Sequence, residues 1–358
     1  MSFKCGIVGL PNVGKSTTFN AITKSKNAEA ANFPFCTIEP NIGVVSVPDE
    51  RLNNIAKIVK SEKIINTLIT FVDIAGLVEG ASKGEGLGNK FLSHIREVDA
   101  IVHLLRCFDA KDIQNVNKTV DPVRDLEIIE TELMLADIES LEKRLDKKKK
   151  SKSDNEELDS LLSKAYDILK KGGSINHLRE DYDEKTIKIS NLLSLKPKII
   201  VCNTDENSVA SGNDYTKNIS QKFKNEEIVL ISAEIEQQIN ELNSVDAKEF
   251  MNEIGLTETG LDRLIKSSYK SLELCTYFTA GPKETKAWTV KENSKAPNAA
   301  GVIHSDFQKG FIKAEVISYQ DYLDFNGESG CRDNGKLRIE GKDYIVKDGD
   351  ILHFRFNT

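Results

Sequence analysis

The sequence predicts an α/β fold with a mostly parallel sheet, and three observations support this prediction. Short apolar runs of strand length recur at residues 3–9, 67–73, 100–108 and 198–202, with helical patterns between several of them. A glycine-containing loop joins the first run to a segment that begins a helix. The strand pattern stops between residues 121 and 195 and then returns, which indicates a helical insertion in the sheet.

The loop after the first strand carries the strongest functional signal. Residues 9–16 read GLPNVGKS, which matches the G-x-x-x-x-G-K-S pattern of a phosphate-binding loop between a strand and a helix. Glycines let backbone N–H groups turn toward phosphate oxygens, and the N-terminus of the helix adds positive potential. Lys15 would reach the terminal phosphates, and the Ser16 hydroxyl would bind Mg²⁺. The loop therefore predicts binding of a nucleoside triphosphate.

Two further segments are candidates for contact with the terminal phosphate. Thr37 lies in a conformationally restrained, proline-containing stretch at residues 31–41 and would close on Mg²⁺ and the γ-phosphate; the alternative is an ordinary turn residue. Residues 67–76 form an apolar strand that ends in D-x-x-G, and the carboxyl end of such a strand faces the phosphate crevice. Asp73 would hold Mg²⁺ there, and the Gly76 N–H would meet the γ-phosphate.

The sequence predicts slow intrinsic hydrolysis. Many GTPases carry a glutamine directly after the D-x-x-G glycine to orient the attacking water, but Leu77 occupies that position here. An aliphatic side chain can neither donate nor accept a hydrogen bond, so another group must position the water. Residues 79–88 are glycine-rich and polar, which is typical of a mobile second switch; an ordinary flexible loop is the alternative.

The segment that would recognise the base departs from the guanine pattern. GTPases use N-K-x-D, whose aspartate accepts hydrogen bonds from N1–H and N2–H₂ of guanine. Here Asn203 sets a register in which Thr204 replaces the lysine and Glu206 replaces the aspartate. Ser232 and Ala233 follow a later strand as an S-A loop, whose N–H normally donates to guanine O6. These departures weaken GTP specificity without proving a preference for adenine.

Two regions outside this sheet suggest a large partner. Residues 121–195 form a predicted helical hairpin with a lysine-rich tip at residues 147–155, which is either a solvated face or a contact to RNA phosphates. Residues 276–358 contain strand-like runs at 287–290, 310–317 and 344–354, and a turn at 348–350 is predicted to divide the last run into two strands. This pattern is typical of a small mixed β-sheet domain.

Composition narrows the class of protein. The formal net charge is -7, so contact with RNA would have to come from a local patch. The six cysteines occur singly with no C-x-x-C pair, which argues against a zinc site and a disulfide framework. The chain starts with a strand pattern instead of a signal-like segment, and no apolar run is long enough to span a bilayer. We therefore expect a cytoplasmic protein with no membrane contact.

Taken together in their order along the chain, these motifs resemble the Obg-like ATPase (YchF) subfamily of translation-factor-class P-loop NTPases. The resemblance covers essentially the whole chain and is most specific at residues 4–16, 32–43, 71–88, 310–314 and 343–350. It implies a P-loop NTPase (G) domain at residues 1–120 and 196–275, an inserted coiled-coil-like helical hairpin at 121–195 and a TGS-like β-grasp domain at 276–358. It also implies Mg²⁺-dependent ATP hydrolysis in a monomer that binds the ribosome or ribosomal RNA and regulates translation or stress responses.

The resemblance also assigns site residues. It implies that the base packs against Thr204, that Ser16 and Thr37 bind Mg²⁺, and that the nucleotide loop consists of Asn12, Val13, Gly14, Lys15, Ser16 and Thr17. Asn12 resembles the loop asparagine that holds K⁺ in related GTPases with a hydrophobic substitution. Family members often carry a histidine, proposed to help hydrolysis, where Asn115 is the best match here, and asparagine is no acid–base group at neutral pH.

Three alternative functions use the same phosphate-binding loop. One is a GTP-using switch of the same fold, and another is a metabolic phosphotransferase, although the chain offers no obvious acceptor-binding motif. The third is a nucleotide-stabilised scaffold that binds RNA or the ribosome with negligible turnover. Leu77 and Asn115 keep the scaffold open, because neither side chain can activate water.

Overall fold

A computed structural model describes residues 3–25, 42–74, 87–110, 119–148, 155–224 and 226–357. Within these ranges the strands form two six-stranded sheets. The first sheet consists of β1 (Lys4–Val8), β2 (Ile42–Ser46), β4 (Leu68–Asp73), β5 (Ala100–Cys107), β6 (Lys198–Thr204) and β7 (Glu227–Ile231). Their spatial order is β2-β4-β1-β5-β6-β7.

The first sheet is mostly parallel, as the sequence predicts. Strand β1 runs parallel to both of its neighbours, and Ile7 lies opposite Asp73 of β4 on one side and Val102 of β5 on the other. Only the β2–β4 pair is antiparallel among the described strand pairs of this sheet. The carboxyl ends of the parallel strands therefore meet at one edge, which is where such sheets bind ligands.

Helices cover both faces of the first sheet and bury its aliphatic side chains. They are α1 (Lys15–Ser25), α3 (Leu87–Glu97), α8 (Asp214–Lys222) and α11 (Gly260–Ser271), while α9 (Ala233–Glu241) packs on α1 and α10 (Ser244–Glu253) packs on α9. The core between sheet and helices includes Ile7, Phe71, Ile95 and Leu264, all without exposed surface. Burial of this apolar area stabilises the layer that carries the phosphate-binding loop.

The helical insertion connects two strands that are neighbours in the first sheet, β5 and β6. It contains α4 (Pro122–Lys148), α5 (Glu156–Lys170), α6 (Leu178–Asp181), α7 (Glu184–Ser190) and a short 3₁₀ turn at Leu193–Leu195. Leucines of α4 and α5 share a core of their own, and Asp137 of α4 accepts hydrogen bonds from the N–H groups of Leu193 and Ser194 at 2.9 and 2.8 Å. Most of the lysine-rich tip lies outside the described residues. No helix in the described ranges is long and apolar enough to cross a membrane.

The second sheet collects strands from two distant parts of the chain. It consists of β3 (Lys63–Ile65), β8 (Leu274–Ala280), β9 (Glu284–Lys291), β10 (Phe311–Ile317), β11 (Arg338–Glu340) and β12 (Ile351–Phe356), in the order β11-β10-β12-β8-β9-β3. Its helices are α2 (Glu50–Val59), α12 (Ala296–Ile303), α13 (Ser305–Lys309), α14 (Tyr319–Asp324) and α15 (Glu328–Asp333).

Helix α2 and strand β3 pack on the second sheet although they join two strands of the first. Strand β3 runs parallel to β9, with Ile65 opposite Lys286, and Leu52 and Ile55 of α2 are buried against Phe278. The predicted domain limits assign residues 1–120 to the nucleotide-binding part, and those limits stay a prediction. The packing means that residues 50–65 contribute to the structure of the C-terminal sheet.

One strand prediction in the C-terminal region is wrong. Residues 344–346 form only an isolated bridge, between Lys295 and Ile345, instead of a strand before the turn at 348–350. The segment is held by side-chain hydrogen bonds instead: Asp350 accepts from the Tyr344 hydroxyl at 2.7 Å and from the Lys347 N–H at 2.9 Å. An apolar run next to a turn therefore took a looped conformation.

Candidate functional site

The phosphate-binding loop follows β1 and is shaped by two close backbone approaches. A Cβ atom at Gly9 would lie 2.7 Å from the Leu104 carbonyl oxygen, so a larger residue would push the loop away from β5. Gly14 has a φ of +91° and packs directly against the Asn203 amide, which requires a residue without a side chain. Helix α1 then begins at Lys15, and its N-terminus points into the loop.

Lys15 and Asp73 meet at the centre of this edge of the sheet. The Lys15 ammonium lies 2.5 Å from a carboxylate oxygen of Asp73, and the two side chains are 14% and 18% exposed. Lys15 comes from the first turn of α1, and Asp73 is the last residue of β4. The structure thus brings together two residues that the sequence predicted for the terminal phosphates and for Mg²⁺, although they lie 58 positions apart.

Asn203 braces the loop against the neighbouring helix. Its amide nitrogen donates to the Val13 carbonyl oxygen at 2.9 Å, and its amide oxygen accepts from the Ala233 N–H at 3.0 Å. The residue is 3% exposed. The sequence predicted Asn203 and Ala233 as nucleotide-binding residues, and a direct contact of either with the base stays a prediction. The observed bonds give Asn203 a structural role, because they tie β6, α9 and the loop together.

Thr204 and Ser232 are also buried and engaged within the protein. The Thr204 hydroxyl donates to the Ile231 carbonyl oxygen at 3.1 Å, which links the ends of β6 and β7. Ser232 precedes α9 and caps it, since its hydroxyl accepts from the Ile235 N–H. These bonds fix the position of the α9 N-terminus beside the loop. Contact of Thr204 or Ser232 with a base stays a prediction.

Glu206 is the exposed member of the predicted base-recognition set. It begins a single 3₁₀ turn at Glu206–Ser208, one residue beyond the end of β6. One of its carboxylate oxygens accepts from the Gln238 amide nitrogen at 3.0 Å. Sequence reasoning missed Gln238. No short motif includes it, because it lies 32 residues further along the chain, on α9.

The remaining predicted positions divide into two groups. Ser16 is exposed in the first turn of α1, Thr17 is half-buried, and Asn12 is exposed with a φ of 65°. Four positions lie outside the described residues: Thr37, Gly76, Leu77 and Asn115.

The described residues fit a magnesium ion. Mg²⁺ in nucleotide sites is usually held by one or two carboxylates together with phosphate oxygens and water, and seldom by a cage of protein ligands. Asp73 supplies one carboxylate at the end of β4, and Ser16 supplies an exposed hydroxyl at the start of α1. No group of three His, Cys, Asp or Glu side chains suited to a metal occurs within the described ranges. A carboxylate–hydroxyl site needs no such group.

Helix α9 also contains a buried carboxylate. Glu236 is 1% exposed and accepts a hydrogen bond from the Gly260 N–H at 2.7 Å, at the start of α11. Burial raises the pKa of Glu236 to about 7, and the N–H groups of Gly260 and Leu261 offset part of that rise. The carboxylate thus anchors α9 on the side opposite to solvent, below the surface that carries Gln238.

Comparison with known proteins decides the family. A family model described as a 50S ribosome-binding GTPase matches residues 4–143, and a YchF GTPase C-terminal model, described as a protein of unknown function, matches residues 274–357. The ribosome-binding ATPase YchF of Haemophilus ducreyi is 52% identical over 365 residues, and that of Bacillus subtilis is 48% identical over 369 residues. In both cases 100% of each chain is covered. The chain belongs to the YchF family.

A solved structure agrees with membership of the YchF family. The YchF GTPase of Schizosaccharomyces pombe superposes with a TM-score of 0.86 at 38% identity, covering 99% of this chain and 98% of that one. The resemblance drawn from the motifs and the predicted α/β fold are therefore confirmed. The similarity to YchF proteins covers both sheets and the helical insertion.

Proposed function

We propose that this chain is a Mg²⁺-dependent ATPase that hydrolyses ATP to ADP and phosphate, and whose nucleotide state controls its association with the ribosome. The observation that carries the proposal is the meeting of Lys15 and Asp73, 2.5 Å apart, beside a loop shaped by Gly9 and Gly14. Lys15 would be the cation for the terminal phosphates and Asp73 the carboxylate for the metal, which are two of the groups that phosphoryl transfer needs.

The phosphate end of the site acts mainly through charge. The first turn of α1 would direct backbone N–H groups and Lys15 at the β- and γ-phosphates. These donors would stabilise the negative charge that develops during transfer. A bound Mg²⁺ would be held by Ser16 and Asp73, with Thr37 as a proposed third ligand, and would neutralise phosphate charge. Lys15 and Asp73 pair with each other in the structure, and the phosphates and the metal would take the place of that contact. Gly76 is proposed to donate its N–H to the γ-phosphate, and Asn12 to take part in holding K⁺.

The base end of the site favours adenine. The Ala233 N–H, which would serve guanine O6, donates instead to Asn203. The Glu206 carboxylate is a pure acceptor, and adenine presents a donor, its exocyclic amine, on the edge that it uses for recognition. GTP stays an alternative substrate, because guanine also offers N–H donors to a carboxylate.

The partner proposal comes from the relatives. The proteins of Haemophilus ducreyi and Bacillus subtilis are named ribosome-binding ATPases, and they match this chain from end to end. With a formal net charge of -7, attraction to ribosomal RNA must come from local basic patches, such as the tip of the helical insertion. We propose a cytoplasmic monomer that joins a ribosome in one nucleotide state and leaves it in the other.

Replacing the loop lysine tests the whole proposal. Lys15→Ala should abolish ATP hydrolysis and weaken binding of Mg²⁺·ATP by at least about a hundredfold, because a buried phosphate–ammonium contact is lost. Isothermal titration with ATP and GTP measures the binding. Phosphate release with and without ribosomes measures the turnover, and co-sedimentation with ribosomes in ATP or ADP measures the association.

Lys57→Ala is the matched control, since Lys57 is an exposed lysine on α2, away from the loop. It should leave binding, turnover and co-sedimentation unchanged. Full ATP binding by Lys15→Ala would contradict the assignment of the loop. Ribosome co-sedimentation without any turnover by the unmodified chain would favour the scaffold over the ATPase.

A further inference from the structure

A cleft of about 390 Å³ opens in the second sheet between β8 and β12. The two strands are parallel neighbours but pair at a single position, where Phe278 lies opposite Ile351. Beyond this pair β8 ends at Ala280, whereas β12 continues to Phe356. Residues 352–356 of β12 therefore border this opening, the β8–β12 cleft, on the side opposite to β10.

The edge of β12 in the cleft offers backbone groups for pairing. The Asp350 carbonyl oxygen points toward β8, since it accepts from the Phe278 N–H at 2.8 Å. Successive residues of a strand point their backbone groups to alternate sides, so those of Phe354 and Phe356 also point into the cleft. No strand in the described part of the chain pairs with Phe354 or Phe356 on this side. Such a free edge is a template for an added strand.

The cleft has two walls of different chemistry, because they belong to opposite faces of the second sheet. One wall is apolar and aromatic, and includes Trp288 and Phe307, which pack on the core beneath α12 and α13. The other wall holds Glu328 of α15 and Glu315, which lies on the same face of β10 as Ile317. An extended segment in the cleft would point alternate side chains at the aromatic rings and at the carboxylates.

The charges along the cleft are negative. No lysine or arginine lines it within the described residues, whereas three carboxylates do: Glu284, Glu315 and Glu328. Arg355 contacts Glu315 at 3.2 Å and Arg332 contacts Glu328 at 2.6 Å, and both arginines are exposed. Exposed pairs of this kind are weak and can exchange for another cation. The cleft therefore complements an extended segment that carries positive charge.

We propose that the β8–β12 cleft binds an extended, basic peptide segment of another protein, which adds a strand to the free edge of β12. Apolar side chains of the segment pack on Trp288 and Phe307, and lysine or arginine side chains between them reach Glu315 and Glu328. Backbone pairing supplies affinity, and the two unlike walls select the sequence pattern. Binding requires no nucleotide, because the lining residues all belong to the second sheet and its helices.

Trp288 reports on the cleft directly, since it is the one tryptophan of the chain. Its indole N–H donates to the Thr279 hydroxyl oxygen at 2.9 Å, and both residues line the cleft. A capped octapeptide of alternating valine and lysine should change the fluorescence of Trp288 saturably and should slow amide exchange in β12. The matching valine–glutamate peptide should bind at least about tenfold more weakly, because the carboxylates repel it.

Methylated peptides test the strand pairing. One peptide carries methyl groups on the backbone nitrogens of its valines, and the other carries them on those of its lysines. Because N–H groups of alternate residues point to the same edge of a strand, only one of the two peptides presents its methyl groups to β12. That peptide should bind at least about tenfold more weakly, and the other should bind like the unmethylated one.

A carboxylate variant tests the charged wall. Glu315→Gln should weaken binding of the valine–lysine peptide by about fivefold, and the difference should shrink at high salt. Glu139→Gln is the matched control, since Glu139 is an exposed glutamate on α4 of the helical insertion. It should leave peptide binding unchanged.

Several results would overturn the peptide site. Equal binding of the valine–lysine and valine–glutamate peptides would remove the role of charge, and equal binding of the two methylated peptides would remove the added strand. Trp288 fluorescence and β12 exchange that do not respond to the lysine peptide would show that the cleft binds no such segment. A response to a uridine oligonucleotide, but not to the peptide, would identify a nucleic-acid surface instead.

Discussion

The two sheets of this protein are assembled in different ways. Among the described strands of the first sheet, five are parallel neighbours linked by helical crossovers, and the core between them is mainly Ile, Leu and Val. The second sheet has a more aromatic core that includes Tyr277, Phe278, Phe311 and Phe354. It also recruits β3 and α2 from more than 200 residues earlier in the chain.

The difference shows that the nucleotide-binding layer is not structurally self-contained. The connection between β2 and β4 leaves the first sheet, packs as α2 and β3 on the second, and returns to the strand that ends in Asp73. A hydroxyl contact lies at the return point, where the Thr67 and Thr289 oxygens are 2.5 Å apart. Stability of the C-terminal sheet should therefore depend on residues that the motifs assign to the other part of the chain.

The largest expected effect comes from removing a buried side chain of α2. Ile55 is fully buried against the second sheet, so Ile55→Ala should lower the free energy of unfolding by about 4 kcal/mol through lost burial and the cavity left behind. Hydrogen exchange should show the loss of protection in β8 and β9. Chemical denaturation gives the free energy, and exchange resolved by peptide gives the location.

Ile95→Ala is the matched variant for the first sheet, because Ile95 is an equally buried isoleucine on α3. Its loss of protection should fall in β1, β4 and β5 instead. If Ile55→Ala left β8 and β9 as protected as before, the proposed dependence between the two sheets would be wrong.

The second expected effect is a pH dependence from a buried carboxylate of the first layer. Burial raises the pKa of Glu236 to about 7 from its ordinary value of 4.5, so the folded state binds the proton more tightly than the unfolded chain does. The contribution to stability is then greatest below pH 4.5 and is lost as the pH rises to about 7. Glu236→Gln has no group to ionise here, so its free energy of unfolding does not fall in this way. The difference in free energy of unfolding between the variant and the unmodified chain should shift in favour of the variant by on the order of 3 kcal/mol between pH 4 and pH 8.

Asp350→Asn provides the comparison in the second sheet. Burial also raises the pKa of Asp350, but the Tyr344 hydroxyl and the Lys347 N–H stabilise its carboxylate. The stability of Asp350→Asn relative to the unmodified chain should therefore also improve as the pH rises, but by less than that of Glu236→Gln. Urea denaturation at several pH values measures both variants, and a pH-independent difference for Glu236→Gln would contradict the burial of an ionisable Glu236.

The smallest expected effect concerns an ion pair between α2 and the second sheet. Arg51 donates to Asp49 at 2.8 Å and to Asp348 at 2.6 Å, and its guanidinium lies 5.4 Å from the centre of the Phe278 ring. Because Asp348 is half-exposed, Arg51→Ala should cost only about 1 kcal/mol, and the cost should shrink at high salt. Denaturation at low and high salt measures it.

Lys143→Ala serves as the control for this pair, since Lys143 and Glu139 form an exposed pair on one helix of the insertion. Lys143→Ala should change the free energy of unfolding by little or nothing that denaturation can measure. A cost for Arg51→Ala of several kcal/mol, or one that salt does not change, would mean that packing on Phe278 outweighs the charges.

The candidate site was predictable to the extent that it follows short motifs. Residues 9–16 and Asp73 could be assigned because glycine spacing, strand patterns and helix starts are local properties. Family membership, predicted from the same motifs, is confirmed by end-to-end relatives. The bracing role of Asn203 was not predicted, because its partners at Val13 and Ala233 lie 190 and 30 residues away.

Predictions for the C-terminal region were less complete for the same reason. Residues 311–317 have a clear strand pattern and form β10, whereas residues 344–346 have a similar apolar run and do not form a strand. Whether such a run becomes a strand depends on whether its backbone groups find partners across the sheet. Nothing in the local pattern around residues 50–65 indicates that they pack on the later sheet.

The sequence by itself determined the phosphate-binding loop, the mostly parallel sheet and the helical insertion, because each depends on residue types within one or two elements. Only the tertiary structure decided that Gln238 holds Glu206 and that α2 and β3 complete the C-terminal sheet. These contacts join segments that are distant in the chain. These contacts form only when whole layers of the structure pack together, and a local stretch of sequence does not show how the layers pack.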